Sequence, residues 1–356
     1  MISKLYFGET LPTWALWVEL LSAGLIVVLA GARLTRLADR LADERQLGRA
    51  WVGMLLLATV TSLPEVVTCC TSVAIGSPDL AFATLFGSCS FNITLIVWFN
   101  IAVGGGSILG GRKSAHTLTS SGGIFMIALA LTGITLTQKF HSRPHVAQAC
   151  EIGVCALIAA AYVNSIRATY HLERAEIYTA VRPLDLAPRT PHLVTKIVWL
   201  SLALAVAAWW LAQTGDVLSS HPIGWIGRPL GATFVGACFL AVASSLPEIV
   251  TGLSAVRMGQ MDLALGNIFG SNMFNIFVIP MCKVASLIRG DTLLMAGEYF
   301  HADRNIVAGL LPILLTAVAV GGLTYASKRR LLRLGPDSVL IALFYVGGMI
   351  LLLASA

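Results

Sequence analysis

Charge is what this sequence has least of. Asp, Glu, Lys and Arg make up 12% of its 356 residues, about half the ~25% usual in soluble domains. With 56% hydrophobic residues and apolar runs recurring near membrane-spanning length, the chain reads as a polytopic membrane protein. No nucleotide-binding loop is present: "GGGSILGGRK" (104–113) is glycine-rich, but it follows an apolar span and lacks the P-loop lysine pattern. Nor does any apolar span carry the paired-aspartate, Ser/His or zinc-type constellation of an intramembrane enzyme. The seven cysteines (69, 70, 89, 150, 155, 238, 282) show no metal-ligand spacing and read as small apolar fillers. A net charge of +6 could suit nucleic acid. It sits in loops between spans, however, where orientation in the bilayer explains it better.

Helical spans of about 20 residues are expected at 14–31, 50–76, 80–103, 121–138, 147–165, 195–213, 230–257, 261–287, 305–325 and 337–354. The first resembles a signal peptide, but Glu9 and Glu19 spoil that pattern. Of the 24 Lys and Arg, 17 fall in or beside the loops after the odd-numbered spans. The positive-inside rule makes that side cytoplasmic and puts both termini outside. The longest polar segment, 166–194, contains "RPLDLAPRTPH" and reads as a cytoplasmic linker. It divides the chain into 1–165 and 195–356. Five spans per half predict an all-α membrane protein of two inverted five-helix repeats, an arrangement of secondary transporters with the ion site at the repeat interface.

The repeat is visible in the residues. "TSLPEVVTCCTSVAIGSPDLAFATLFGSCSFNI" begins at Thr61 and "SSLPEIVTGLSAVRMGQMDLALGNIFGSNMFNI" at Ser244. Glu65 and Glu248, like Asn92 and Asn275, stand 183 residues apart, with no gap between. Ala58, Thr61 and Glu65 share one helix face, as do Ser88 and Asn92 on the next span. Ala241, Ser244, Glu248, Ser271 and Asn275 repeat the pattern. Pro64 and Pro247 each remove an amide donor and release a carbonyl in the preceding turn. Carboxylate, hydroxyl, carbonyl and amide oxygens together form a hard-cation ligand set. Each buried carboxylate costs on the order of 3 kcal/mol on insertion scales. Two that face one another repel by up to ~4 kcal/mol at an effective dielectric near 20. A divalent cation, sodium ions or protons would cancel both penalties. A lone glutamate could instead be protonated and bonded to a neighbouring helix; two matched sets of Glu, hydroxyl and amide argue against that.

At these residues the sequence resembles the calcium/cation antiporter superfamily, in its sodium/calcium exchanger branch of prokaryotic type, without a large regulatory loop. That family carries two inverted motifs of the form "TSLPE … GNxxGSNxxN/D". The resemblance implies that Glu65 and Glu248 bind calcium and also serve sodium. It implies carbonyls and hydroxyls from Thr61 and Ser244, carbonyls from Ala58 and Ala241, sodium-site oxygens from Ser62, Ser88, Ser245 and Ser271, and amide oxygens from Asn92 and Asn275. Two spans, the first and sixth, would slide across the remaining bundle to alternate access. The transported ions would be Ca2+ and Na+, with H+ possible, and no cofactor is expected. Departures from the pattern are Ala83-Thr84 for Gly-Asn, Cys89 for Asn, and Asn275 where some relatives have Asp. They leave two formal charges in the core, so the driving ion and the stoichiometry stay open.

Other polar residues have plainer readings. Glu19 is expected to snorkel outward, Asp79 and Asp262 to cap helix starts, and the seven histidines to lie in or near loops at the surface. "SKRRLLR" (327–333) is an inside-positive anchor that could meet anionic lipid. The leading functional expectation is Ca2+ export in exchange for Na+. The alternatives are exchange of Ca2+ or another divalent ion for H+ and, from another class, a passive cation channel. The expected location is the inner (plasma) membrane.

Overall fold

A computed structural model describes residues 13–74, 76, 78–104, 107–110, 114–179, 190–220, 245–295, 300–325 and 334–355. Backbone groups at bilayer depth must be satisfied within their own segment, and helices do this. In chain order the helices are α1 (Thr13–Arg45), α2 (Arg49–Thr61), α3 (Leu63–Ala74), α4 (Pro78–Ala102), α5 (Ser114–Lys139), α6 (Pro144–Thr179), α7 (Leu193–Ser220), α8 (Leu246–Arg257), α9 (Met261–Arg289), α10 (Ala302–Thr324) and α11 (Pro336–Ser355). Among the described residues six stretches are long and apolar enough to cross a bilayer: Trp17–Arg45, Pro78–Ala102, Ser114–Lys139, Pro144–Ala175, Met261–Arg289 and Ala302–Thr324. The pair α2–α3, bent by 46°, makes a seventh if counted as one broken span. Shorter apolar stretches, Leu193–Ala207 and Pro336–Leu352, lie in α7 and α11. The predicted span 230–257 is described only from residue 245. The described elements are those of an α-helical integral membrane protein.

Two helices run furthest past their predicted ends, α1 to Arg45 and α6 to Thr179. At 1.5 Å per residue, the 33 residues of α1 measure about 50 Å, against ~30 Å of hydrocarbon. Arg33, Arg36, Arg40 and Arg45 therefore ride on helix rather than on a loop. Arg49 ties back to this projection through Asp39 (2.7 Å) and Asp43 (2.8 Å). Helix α6 likewise continues to Thr179, so the start of the 166–194 segment is helical. Its Glu173, buried, accepts the Trp51 amide at 2.7 Å and satisfies an N–H in the first turn of α2.

Helix α9 is central. It is buried almost without interruption from Leu263 to Ile279 and packs on α2, α3, α4, α5, α6 and α8. Its approach to α2 is closer than side chains permit. A Cβ on Gly266 would lie 2.4 Å from the Ala50 carbonyl oxygen, and one on Gly270 2.5 Å from the Met54 Cα. The facing stretch of α2, Gly53–Leu57, is a single π-helical turn.

Two apolar clusters stack along these helices. One contains Leu57, Val60, Ile93, Ile96, Phe99, Leu265 and Phe269. The other contains Cys69, Phe82, Phe86, Met273 and Ile279. Along α2–α3, α4 and α9 the chain passes from one cluster to the other at Thr61–Glu65, at Ser88–Asn92 and at Ser271. The polar residues of the first copy, with Ser271 of the second, thus mark a polar level where one cluster gives way to the other.

Candidate cation site

The site begins with a break. Pro64 has no N–H to return to Val60, and the chain leaves helical geometry at Ser62, with φ −93° and ψ 8°. In the second copy Ser245 takes nearly the same conformation, φ −88° and ψ 6°, immediately before α8. Each serine carbonyl then accepts from four residues on: Val66 N–H to Ser62 at 3.3 Å and Ile249 N–H to Ser245 at 3.1 Å. The break places Glu65 and Glu248 in the first turns of α3 and α8.

The copies meet across the polar level. Ser62 donates to Glu248 Oε1 at 3.1 Å. The Thr61 hydroxyl lies 3.4 Å from Ser271 Oγ, 3.5 Å from Asn267 Oδ1 and 3.3 Å from the Ala58 carbonyl. All three contacts are long, so packing of α2 on α9 holds Thr61 more than any one bond does. Asn92 donates to Asn272 Oδ1 at 3.1 Å. Cys89 and Asn272, themselves 183 apart, bond reciprocally: the Asn272 amide donates to Cys89 O at 3.0 Å, and the Cys89 thiol to Asn272 O at 3.5 Å. Corresponding points of the two copies are here in direct contact.

Ala58, Thr61, Ser62, Glu65, Ser88, Asn92, Ser245, Glu248, Ser271 and Asn275 are all buried. Ala241 and Ser244 lie outside the described residues, as does Cys238. Five buried oxygens of the predicted set make no hydrogen bond among the described residues: Ser88 Oγ, Asn92 Oδ1, Ser245 Oγ, Glu248 Oε2 and Asn275 Oδ1. Each such group costs roughly 1–3 kcal/mol if left unmet, and buried polar atoms are rarely left so. Hydroxyl, amide and carboxylate oxygens suit a hard cation. Among the described residues no three His, Cys, Asp or Glu side chains converge as a resident metal centre would require.

Several residues depart from their sequence-based reading. Asn267 and Asn272, inside the second motif but not chosen as site residues, link the copies; Asn267 also donates to Thr251 Oγ1 at 3.0 Å. Glu19 does not snorkel to solvent, because it is buried and accepts from the Trp210 indole at 3.2 Å. His116 is not at the surface: its ring is fully buried in α5, with Nε2 3.0 Å from Asp262. Asp79, the counterpart of Asp262, pairs with the His301 ring, accepts the His301 amide at 2.9 Å and accepts from Asn305 at 2.6 Å. The two aspartates thus join separate helices, a role no local cap signal reveals. A further buried pair, Lys283–Glu151 at 2.6 Å, fastens α9 to α6, and Glu151 also accepts the Leu294 and Met295 amides.

Comparison with known proteins gives the family and the fold. The model of the family described as "Sodium/calcium exchanger protein" matches residues 15–166 and 192–354. The "Putative antiporter CaxA" of Alkalimonas amylolytica is 26% identical over 93% of this chain and 97% of its own length. The "Inner membrane protein YrbG" of Escherichia coli is 26% identical over 73% of this chain and 77% of its own. In fold, the chain is similar to the solved sodium-calcium exchanger NCX_Mj, with a TM-score of 0.66 at 18% identity, covering 94% of this chain and 98% of that one.

Proposed function

This chain belongs to the sodium/calcium exchanger protein family, and from that premise we propose that it is a secondary antiporter exporting Ca2+ in exchange for Na+ by alternating access. The observation that carries the reading is the buried oxygen level where Ser62 of one motif copy reaches Glu248 of the other. In this reading Glu65 and Glu248 supply the charge that Ca2+ neutralises. Thr61, Ser62, Ser88, Ser245, Ser271, Asn92 and Asn275 supply neutral oxygens, Ala58 a carbonyl, and Ala241 and Ser244 complete the second half.

The architecture we propose is ten spans in two inverted repeats, 1–165 and 195–356, joined by a cytoplasmic segment at 166–194. Both termini face outward from the inner (plasma) membrane. The matched backbone at Ser62 and Ser245 and the reciprocal Cys89–Asn272 bonds support this, as does the bias of basic residues to one side. Sliding of α1 and α7 across the remaining helices would expose the site to either side in turn.

Inside-out vesicles given an opposing Na+ gradient are expected to accumulate Ca2+, and Glu65→Gln or Glu248→Gln to abolish the uptake. Unchanged uptake in both variants would sink the site assignment. A second reading, Ca2+/H+ exchange, draws on the neutral Asn275: two carboxylates are balanced as well by two protons as by two sodium ions. Ca2+ uptake driven by a pH gradient in Na+-free buffer would select it.

A further inference from the structure

Away from the polar level, a cavity of about 450 Å³ opens between α1 and α7. Arg33, Arg36 and Arg40 enter it from α1, and Lys196 and Trp199 from α7. The arginines fall three and four residues apart, so they share one helix face. Among the described residues no acidic side chain lines the cavity. The nearest acids on α1 are otherwise engaged: Asp39 and Asp43 hold Arg49, and Glu44 accepts the Thr190 amide at 2.7 Å. Four cations therefore face one space whose described lining holds no carboxylate, with Glu44 within electrostatic reach of Arg40 alone among them, at the end of α7 where first-turn amides already favour an anion.

The cavity also has a continuation. Helix α1 runs toward it and α7 away from it, so residues before Arg33 and after Trp199 lie side by side toward the bilayer centre. There α1 exposes Leu21, Leu25 and Leu29, and α7 exposes Leu202 and Val206. Trp199 itself is 67% exposed beside the basic cluster, and exposed indoles of this kind favour the membrane interface. A basic recess opening onto lipid-facing apolar surface matches a molecule with an anionic head and acyl tails.

We propose that the recess between α1 and α7 is a binding site for an anionic phospholipid, its phosphate held by Arg33, Arg36, Arg40 and Lys196 and its chains lying along both helices. A soluble phosphate would satisfy the cations but leave the apolar continuation without a role. The proposal does not depend on which ions the protein transports.

The test uses the full-length protein in nanodiscs of phosphatidylcholine, titrated with spin-labelled phosphatidylglycerol or equally labelled phosphatidylcholine. Tryptophan quenching is expected to be stronger with phosphatidylglycerol, and Trp199→Phe to remove that increment. Each lost cation should raise the half-saturating phosphatidylglycerol content by about fivefold. Arg36→Gln/Lys196→Gln is therefore expected to shift it by roughly 25-fold, and the charge-keeping Arg36→Lys/Lys196→Arg far less. Monodisperse elution and retained cation transport show that each variant is folded. Equal quenching by the two lipids, or an unshifted titration in the Gln variant, would overturn the proposal. Displacement of the labelled lipid by millimolar glycerol phosphate would also overturn it, by showing the ligand to be a soluble anion.

Discussion

Ser62 is the residue whose removal asks least of the fold and most of the site. Its hydroxyl is fully buried and its partner is the charged oxygen of the other motif copy, 3.1 Å away. A hydrogen bond to a charged group is worth about 1.5–3 kcal/mol, an order of magnitude or more in affinity. Ser62→Ala is therefore expected to raise the Ca2+ concentration for half-maximal uptake by about tenfold while leaving the maximal rate within a factor of two. Initial-rate uptake across a Ca2+ series measures this directly. An unchanged half-saturating concentration would mean that Glu248 meets its cargo without help from the first copy, and that the contact is only structural. Thr61 offers the useful contrast: its three contacts are all 3.3–3.5 Å, so less affinity depends on any one of them.

At the scale of the element, the crossing of α2 over α9 sets where those residues stand. A Cβ at Gly266 would meet the Ala50 carbonyl at 2.4 Å, and a backbone atom cannot swing aside as a flexible side chain can. Gly266→Ala is expected to cost roughly 1–3 kcal/mol by overpacking and to lower the detergent melting midpoint by several degrees. Gly153→Ala, where nothing lies within 4 Å, should hold or raise it through helix propensity. Both melts can be followed on one instrument, and equal midpoints would show that α2 yields. Part of this arrangement is legible in the sequence. Apolar runs announced the helices, and the 183-residue offset announced which polar residues correspond. Cys89 and Asn272 could have been paired by that same offset, and Asn267 found one turn before Ser271. What no local pattern carried were partners far apart in sequence, such as Glu173 on Trp51 or His116 on Asp262. The reach of α1 beyond the bilayer was hidden for another reason. Arginines past an apolar run read as a loop until Asp39 and Asp43 are seen holding Arg49 against the same helix.

For the whole molecule the question is how much charge crosses the membrane per cycle, and the site's own charge count bears on it. In the proposed site Glu65 and Glu248 would contribute two negative charges, and Asn275 none. One Ca2+ or two Na+ brings the buried site to neutrality, whereas a third Na+ would leave an unbalanced positive charge between two apolar layers. Unpaired buried charge costs several kcal/mol after relaxation, enough to suppress the triply loaded state by two or more orders of magnitude. Ca2+ uptake driven by Na+ is therefore expected to be electroneutral: clamping proteoliposomes with valinomycin and K+ at different potentials should leave the initial rate unchanged. Asn275→Asp adds a third negative charge at the same level, and with it room for a third Na+. That variant is expected to become voltage-sensitive, with uptake faster when the potential favours net movement of positive charge along the Na+ gradient. Voltage-sensitive uptake in the unmodified protein would refute the two-charge account. It would place the balancing charge on a group other than Glu65 and Glu248.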